Sequence, residues 1–338
     1  MSMGHPSKHD LTRKLRKAAQ AGFKGVELFW DDLDAFCSQT FGNTAGGALL
    51  KACQQLKLLC DELGLEVVSL QPFRNFDGLV DKAEKEQRLE EFKLWLLCAT
   101  HLGAGIIGVP ATIEKEGHST SSIVEDICQL SSLAQQNAPP ITVAYENLCF
   151  SAFIETWESA WSVVHNASRG HDNVAIILDT FNIGGGMWAD PCAPEGLRPN
   201  HRDSLETCLR DLAATIPRHK VALIQVADAE LLDPPIQKGH ALYDPESASC
   251  LRNWSRNCRL FPLEKDRGAY LPIVELLRAM TDGDQNSGMR GIGYEGWISM
   301  EVFSKSTETP GQQCVDEHVE RAWAGWIKLR ESMGWEDC

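Results

Sequence analysis

VAIILDTFNIGGG, residues 174–186, opens with five apolar residues, three of them β-branched, and its apolar run stops on one carboxylate, Asp179. A run this short, rich in β-branched residues and followed by glycines, reads as a strand buried on both faces, the kind that parallel sheets use. The same shape returns at GVELF (25–29), EVVSLQ (66–71), GIIGVP (105–110), ITVAYE (141–146), KVALIQ (220–225) and GWISME (296–301). Helical patterning fills the intervals: Leu11 to Ala21, Leu49 to Leu63, Lys82 to Leu102, Ser121 to Gln136, Trp157 to Asn166, Arg202 to Ala214, Tyr270 to Met280 and Val315 to Met333. Strands alternating with helices along a whole chain predict a parallel sheet with crossover helices, and eight such repeats close into a (β/α)8 TIM barrel. The strands fall one short. Met1 to Gly4 is all that precedes the first helix, so a shortened first strand is expected there. Counting it as strand 1, long loops follow strands 6 and 7, at residues 180–200 and 226–269, and loops of that length are usually functional.

Composition narrows the class. At 338 residues, 43% hydrophobic and 23% charged, the chain has ample apolar content for one large core, so residues 1–338 are expected to form a single barrel domain. No segment approaches the roughly eighteen uninterrupted apolar residues of a membrane span, and no apolar stretch follows the charges of MSMGHPSKHD. A cytoplasmic protein with no membrane partner is the expectation. The twelve cysteines are scattered without a CxxC pair, which suits reduced thiols better than a disulfide framework. A net charge of −15 repels a polyanion, which argues against nucleic acid. A small anionic molecule held by local arginines remains the expected partner, and a homo-oligomer is compatible with the composition.

Five strands end in a polar residue directly after the apolar run: Gln71, Glu146, Asp179, Gln225 and Glu301. In a parallel barrel those ends share one face, where active sites of this architecture lie. Carboxylates at buried strand ends are costly without a partner, and three of them converging with an amide oxygen call for a cation. Glu146, Asp179, Gln225 and Glu301 are therefore the expected ligands of one divalent metal ion. Oxygen-only ligation favours Mg²⁺, Mn²⁺ or Co²⁺ over a structural zinc.

The segments SLQPFRNFDGL (69–79), AYENLCF (144–150), LDTFNIGGG (178–186), IQVADAE (224–230), WSRNCRLFPLEKDRGAYLP (254–272) and GWISMEVF (296–303) resemble those of the fungal 3-dehydroshikimate dehydratases of quinate catabolism. The resemblance runs from about Met1 to Met333. It implies a xylose isomerase-like barrel that converts 3-dehydroshikimate to protocatechuate and water with one divalent metal. Carried over by motif, the ligands fall on Glu146, Asp179, Gln225 and Glu301, the same four that the strand ends single out. The family-aligned holders of the substrate carboxylate are Arg74, Ser255 and Arg259, and a guanidinium suits that task because it binds a carboxylate in a two-pronged fork.

The general base is open at this level. Asn182 stands where bacterial members of the family carry a histidine, and an amide takes no proton at neutral pH. His240, in the loop after KVALIQ, and His9 are the histidines expected to substitute. Glu27 and Asp228 are expected to orient neighbouring groups. Two departures bear on the substrate: Gly184, Gly185 and Gly186 replace an Ala-Gly-Arg turn, and Phe150 stands where tryptophan is common. A sugar or keto-polyol isomerase or epimerase would use the same metal site, but needs no carboxylate clamp. A barrel-type DNA-repair endonuclease needs a histidine-rich zinc cluster, which the strand ends lack. An inactive binding barrel would have no use for a full ligand set.

Overall fold

The computed structural model describes residues 1–245, 249–282 and 291–336. Its strands are β1 (Gly25–Phe29), β2 (Glu66–Gln71), β3 (Ile106–Pro110), β4 (Thr142–Glu146), β5 (Val174–Asp179), β6 (Val221–Val226), β7 (Asp228–Ala229), β8 (Arg259–Leu260) and β9 (Ile298–Met300). The short antiparallel pair β7 and β8 stands apart. The other seven form one parallel sheet in the order β1-β2-β3-β4-β5-β6-β9, the arrangement of a barrel wall with one position to fill.

Met1 to Gly4 lies at that position as a turn, not as the short strand expected. Gly4 turns the chain at φ 140°, where a Cβ would stand 2.6 Å from His9 Cδ2, and α1 begins too soon afterwards for a ladder to form. The free edge of β9 is met by a side chain instead. Ser2 Oγ donates to the Met300 carbonyl at 3.0 Å and accepts from Val302 N–H at 2.9 Å.

The helices are α1 (Leu11–Ala21), α2 (Trp30–Phe41), α3 (Gly46–Leu63), α4 (Lys82–Leu102), α5 (Ile123–Ala134), α6 (Trp157–Ala167), α7 (Thr180–Met187), α8 (His201–Thr215), α9 (Cys250–Asn257), α10 (Ile273–Thr281) and α11 (Gln312–Met333). Three of them, α2, α7 and α9, have no counterpart in the sequence reading. In α7 the glycines mislead, because each costs a helix about 1 kcal/mol relative to alanine. Asp179 offsets part of that cost by accepting the Phe181 N–H at 2.8 Å as the helix cap. Gly185 is needed for approach, since a Cβ there would meet Cys149 Sγ at 2.8 Å.

Most of the apolar core lies between the sheet and its helices. A smaller cluster joins Val68, Ala144, Ile177 and Leu223. The last three stand two residues before Glu146, Asp179 and Gln225, so the strand period of two puts them on the same face as those residues. They form an apolar plug beneath the polar strand ends. No helix among the described residues is long and apolar enough to cross a membrane, and the described cysteines are free thiols.

Candidate active site

Neighbouring strands bring their oxygen donors together. Register pairs Asp179 with Gln225 across β5 and β6, and Gln225 with Ser299 across β6 and β9. Glu146 ends β4, and Glu301 follows β9 directly. One carboxylate oxygen from each of Glu146, Asp179 and Glu301 lies within 4.8 Å of the other two. Burying like charges so closely is unfavourable unless they are paired. Arg259 supplies part of the compensation: its Nη1 donates to Asp179 Oδ2 at 2.9 Å and to Glu301 Oε2 at 3.0 Å. Asn182 adds neutral hydrogen bonds, donating its amide to Glu146 Oε1 at 2.9 Å and to Asp179 Oδ2 at 2.7 Å. Proton affinity still rises across the cluster. Burial and the neighbouring Glu301 and Asp179 carboxylates lift Glu146 well above the usual range, burial lifts Asp179, and burial first of all pushes Glu301 up to about 7.

Gln225 adds a neutral oxygen. Its Nε2 donates to both oxygens of Glu27 at 3.2 Å, which fixes the amide, while its Oε1 is buried with no hydrogen-bond partner. Glu27 is held in turn by Ser69 Oγ and Gln71 Nε2, each donating at 2.9 Å. An unpaired buried acceptor costs about 1–3 kcal/mol. Next to three carboxylates, the partner that suits it is a cation, and this donor set is one that a hard divalent ion takes.

A carboxylate that holds its proton more tightly in the folded than in the unfolded chain makes folding less favourable as pH rises between the two pKa values. For Glu301 that window runs from 4.5 to about 7. The metal-free protein is expected to lose thermal stability across this window. Added Mn²⁺ should restore more of it at about pH 8 than at about pH 5, because the ligands must be deprotonated to bind. An equal Mn²⁺-induced shift in Tm at both pH values would contradict a cation seated on this cluster.

A cavity of about 230 Å³ opens over the cluster, and Glu146 and Glu301 line it. Arg74, Ser255 and Arg259, the expected carboxylate holders, line it as well, together with Phe29, Phe150 and Phe303. Their circumstances differ. Arg74 is 39% exposed, stacks over Phe29 at 5.2 Å and reaches Asp31 only at 3.9 Å. Arg259 is 1% exposed, packs against Phe181 at 4.2 Å, and donates from Nε to Ser255 Oγ at 3.3 Å. With Nη1 bound to the acids, Arg259 is first of all their countercharge.

The expected proton acceptors are not brought to the cavity. His240 sits in a turn of the long loop after β6, where Nδ1 accepts the Leu242 N–H at 3.1 Å. His9 is buried with its ring against Gly4. No histidine, lysine or tyrosine is among the described residues that line the cavity, so the acceptors within it are carboxylates, including Glu114 on its wall. Asn182 is fully used: besides holding two acids, its Oδ1 accepts the Cys149 N–H at 3.2 Å. It is a positioning residue. His240→Ala is expected to leave kcat within about a factor of two of wild type, as surface changes away from a site usually do. A loss of a hundredfold or more in a rate assay would return His240 to the chemistry.

Glu27 orients Gln225, as expected, but Asp228 acts elsewhere. Asp228 accepts backbone N–H groups from Ala229 and Leu271 at 2.9 Å and from Leu263 at 3.4 Å, pinning the long loop to the end of β6. The sequence reading missed Arg252; it and Arg256, one of the arginines of WSRNCR that favour a carboxylate-holding site, also line the cavity from α9. Their spacing of four residues, with Ser255 at three, is the signal of one helix face that RNWSR carries.

The comparisons agree with this geometry. Residues 15–324 match the family model described as xylose isomerase-like TIM barrel. The chain is 37% identical over 334 residues to the 3-dehydroshikimate dehydratase of Neurospora crassa, covering 96% of this chain and 90% of that protein. It is 28% identical over 308 residues to the 3-dehydroshikimate dehydratase of Pseudomonas aeruginosa, covering 87% of this chain but only 36% of that longer protein. Among solved structures, a xylose isomerase-like TIM barrel/4-hydroxyphenylpyruvate dioxygenase fusion protein superimposes with a TM-score of 0.69 at 21% identity, over 98% of this chain and 42% of that one. The chain thus belongs to the xylose isomerase-like TIM-barrel family, and within it groups with the 3-dehydroshikimate dehydratases.

Proposed function

We propose that this protein dehydrates 3-dehydroshikimate to protocatechuate with one divalent cation, Mg²⁺, Mn²⁺ or Co²⁺, held by Glu146, Asp179, Gln225 and Glu301. The observation that carries the reading is a single cavity with an acidic cluster at one end and guanidinium groups along its walls. That arrangement matches a ring with a keto group at one end and a carboxylate at the other. When bound, a divalent ion supplies positive charge at a carbonyl oxygen, which acidifies the adjacent C–H bond and stabilises the negative charge that develops.

The chain's own groups do the rest. Asn182 and Glu27 hold the oxygen donors in place, so little reorganisation is needed when charge develops. Phe29, Phe150 and Phe303 exclude water from the ring. A cavity carboxylate takes the proton from carbon, the β-hydroxyl departs with a proton as water, and formation of the aromatic ring draws the reaction forward. Product analysis by NMR tests the reading against its nearest competitor. The metal-loaded protein should convert 3-dehydroshikimate and leave a panel of ketohexoses and ketopentoses unchanged. Epimerised ketose with untouched 3-dehydroshikimate would overturn the proposal in favour of a sugar epimerase.

A further inference from the structure

Besides Arg259, whose Nη1 serves the acids, the cavity carries further positive charge on its outer wall. Arg252 and Arg256 both line the cavity from α9. Neither side chain makes a hydrogen bond or an ion pair with the described residues, while Arg256 stacks its guanidinium on Phe303 at 4.9 Å. Arg74, Arg259 and Arg252 are near enough to repel the charge of Arg256, and the Glu301 carboxylate is near enough to offset part of that repulsion. Arg256 is exposed, so water serves its donors until a ligand comes, and a guanidinium carried over an aromatic ring beside other arginines favours an incoming anion. With no bond spent on the described residues, its fork can bond a carboxylate. Arg74 faces the same cavity from the loop after β2.

We propose that Arg256, supported by Arg252, is a carboxylate-binding residue of this cavity and sets its preference for acidic over neutral ring ligands. This rests on the reading of the cavity as the seat of a ring carboxylate. The Phe303 ring beside the guanidinium limits the side-chain freedom lost on binding. Arg256→Gln removes the charge and the fork while keeping most of the stem, and Arg256→Lys keeps the charge alone.

Two measurements test it. In steady-state kinetics with 3-dehydroshikimate, Arg256→Gln should raise KM tenfold or more with kcat within about threefold of wild type, and Arg256→Lys should recover only part of the loss. In calorimetric binding, wild type should prefer protocatechuate to catechol, which lacks the carboxylate, and Arg256→Gln should lose most of that preference. The binding arm stands even if the dehydratase reading fails. A wild type that makes no protocatechuate from 3-dehydroshikimate, yet prefers the acid through Arg256, would sink that reading and uphold this one. If Arg256→Gln kept the wild-type preference for protocatechuate, the assignment of Arg256 would be overturned even with dehydration intact. Retention of wild-type Mn²⁺ affinity in Arg256→Gln is also expected. A large loss of that affinity would place the residue's role at the cation site instead.

Discussion

Asp179→Asn is expected to lower turnover at least about a hundredfold, the scale on which groups that stabilise developing charge usually act. Asp179 is fully buried and meets three partners: the Phe181 N–H it caps, the Asn182 amide and Arg259 Nη1. Asparagine keeps the shape and an oxygen to cap α7, so the fold should survive. What disappears is one unit of negative charge next to Glu146 and Glu301, and with it the pull on a dication. Divalent-metal affinity should fall in parallel, by about tenfold or more. Asp179→Ala would also remove the cap and confound folding with chemistry, so the asparagine variant is the cleaner test. Near-normal turnover with metal still bound would move the site elsewhere.

The second large effect concerns stability. Arg259→Met removes the buried countercharge of Asp179 and Glu301, and breaking such a pair costs about 3–5 kcal/mol when the remaining charge has no substitute. Protonation is one substitute. Both carboxylates already hold protons more tightly than usual, so the cost should be greatest near pH 8 and shrink towards pH 5. A divalent cation is another, and Mn²⁺ should return a good part of the lost Tm near pH 8. If metal-free Arg259→Met melted at the wild-type temperature near pH 8, Arg259 could not be the countercharge that its 2.9 and 3.0 Å contacts make it.

The site was legible where chain geometry is simple. A strand alternates its faces every residue, so a carboxylate closing a buried run has one place to go, and Glu146, Asp179, Gln225 and Glu301 were found in this way. Partners that depend on the meeting of distant segments were not legible. Arg259 lines the cavity as expected of a carboxylate holder, but the antiparallel pairing of β8 with β7 also brings its Nη1 onto Asp179 and Glu301, a second role that the sequence does not announce. Nothing in the sequence says that the Asn182 amide points at two carboxylates rather than at substrate. His240 looked chemical because it follows the strand that ends in Gln225, but it is not among the residues that line the cavity, and its ring accepts a backbone N–H of its own loop. In the fold, α7 was hidden by Gly184, Gly185 and Gly186, which a propensity argument counts against a helix, although close packing on Cys149 requires Gly185. Likewise, the first barrel position is filled by a turn and the Ser2 hydroxyl, contacts that no strand pattern announces.

The most direct test is a progress curve: metal-loaded protein is mixed with 3-dehydroshikimate, and the absorbance of protocatechuate is followed before and after a chelator is added. The account predicts product formation that stops on chelation and resumes when Mn²⁺ is returned. Substrate left intact by the metal-loaded protein, or turnover undiminished after exhaustive removal of metal, would contradict it.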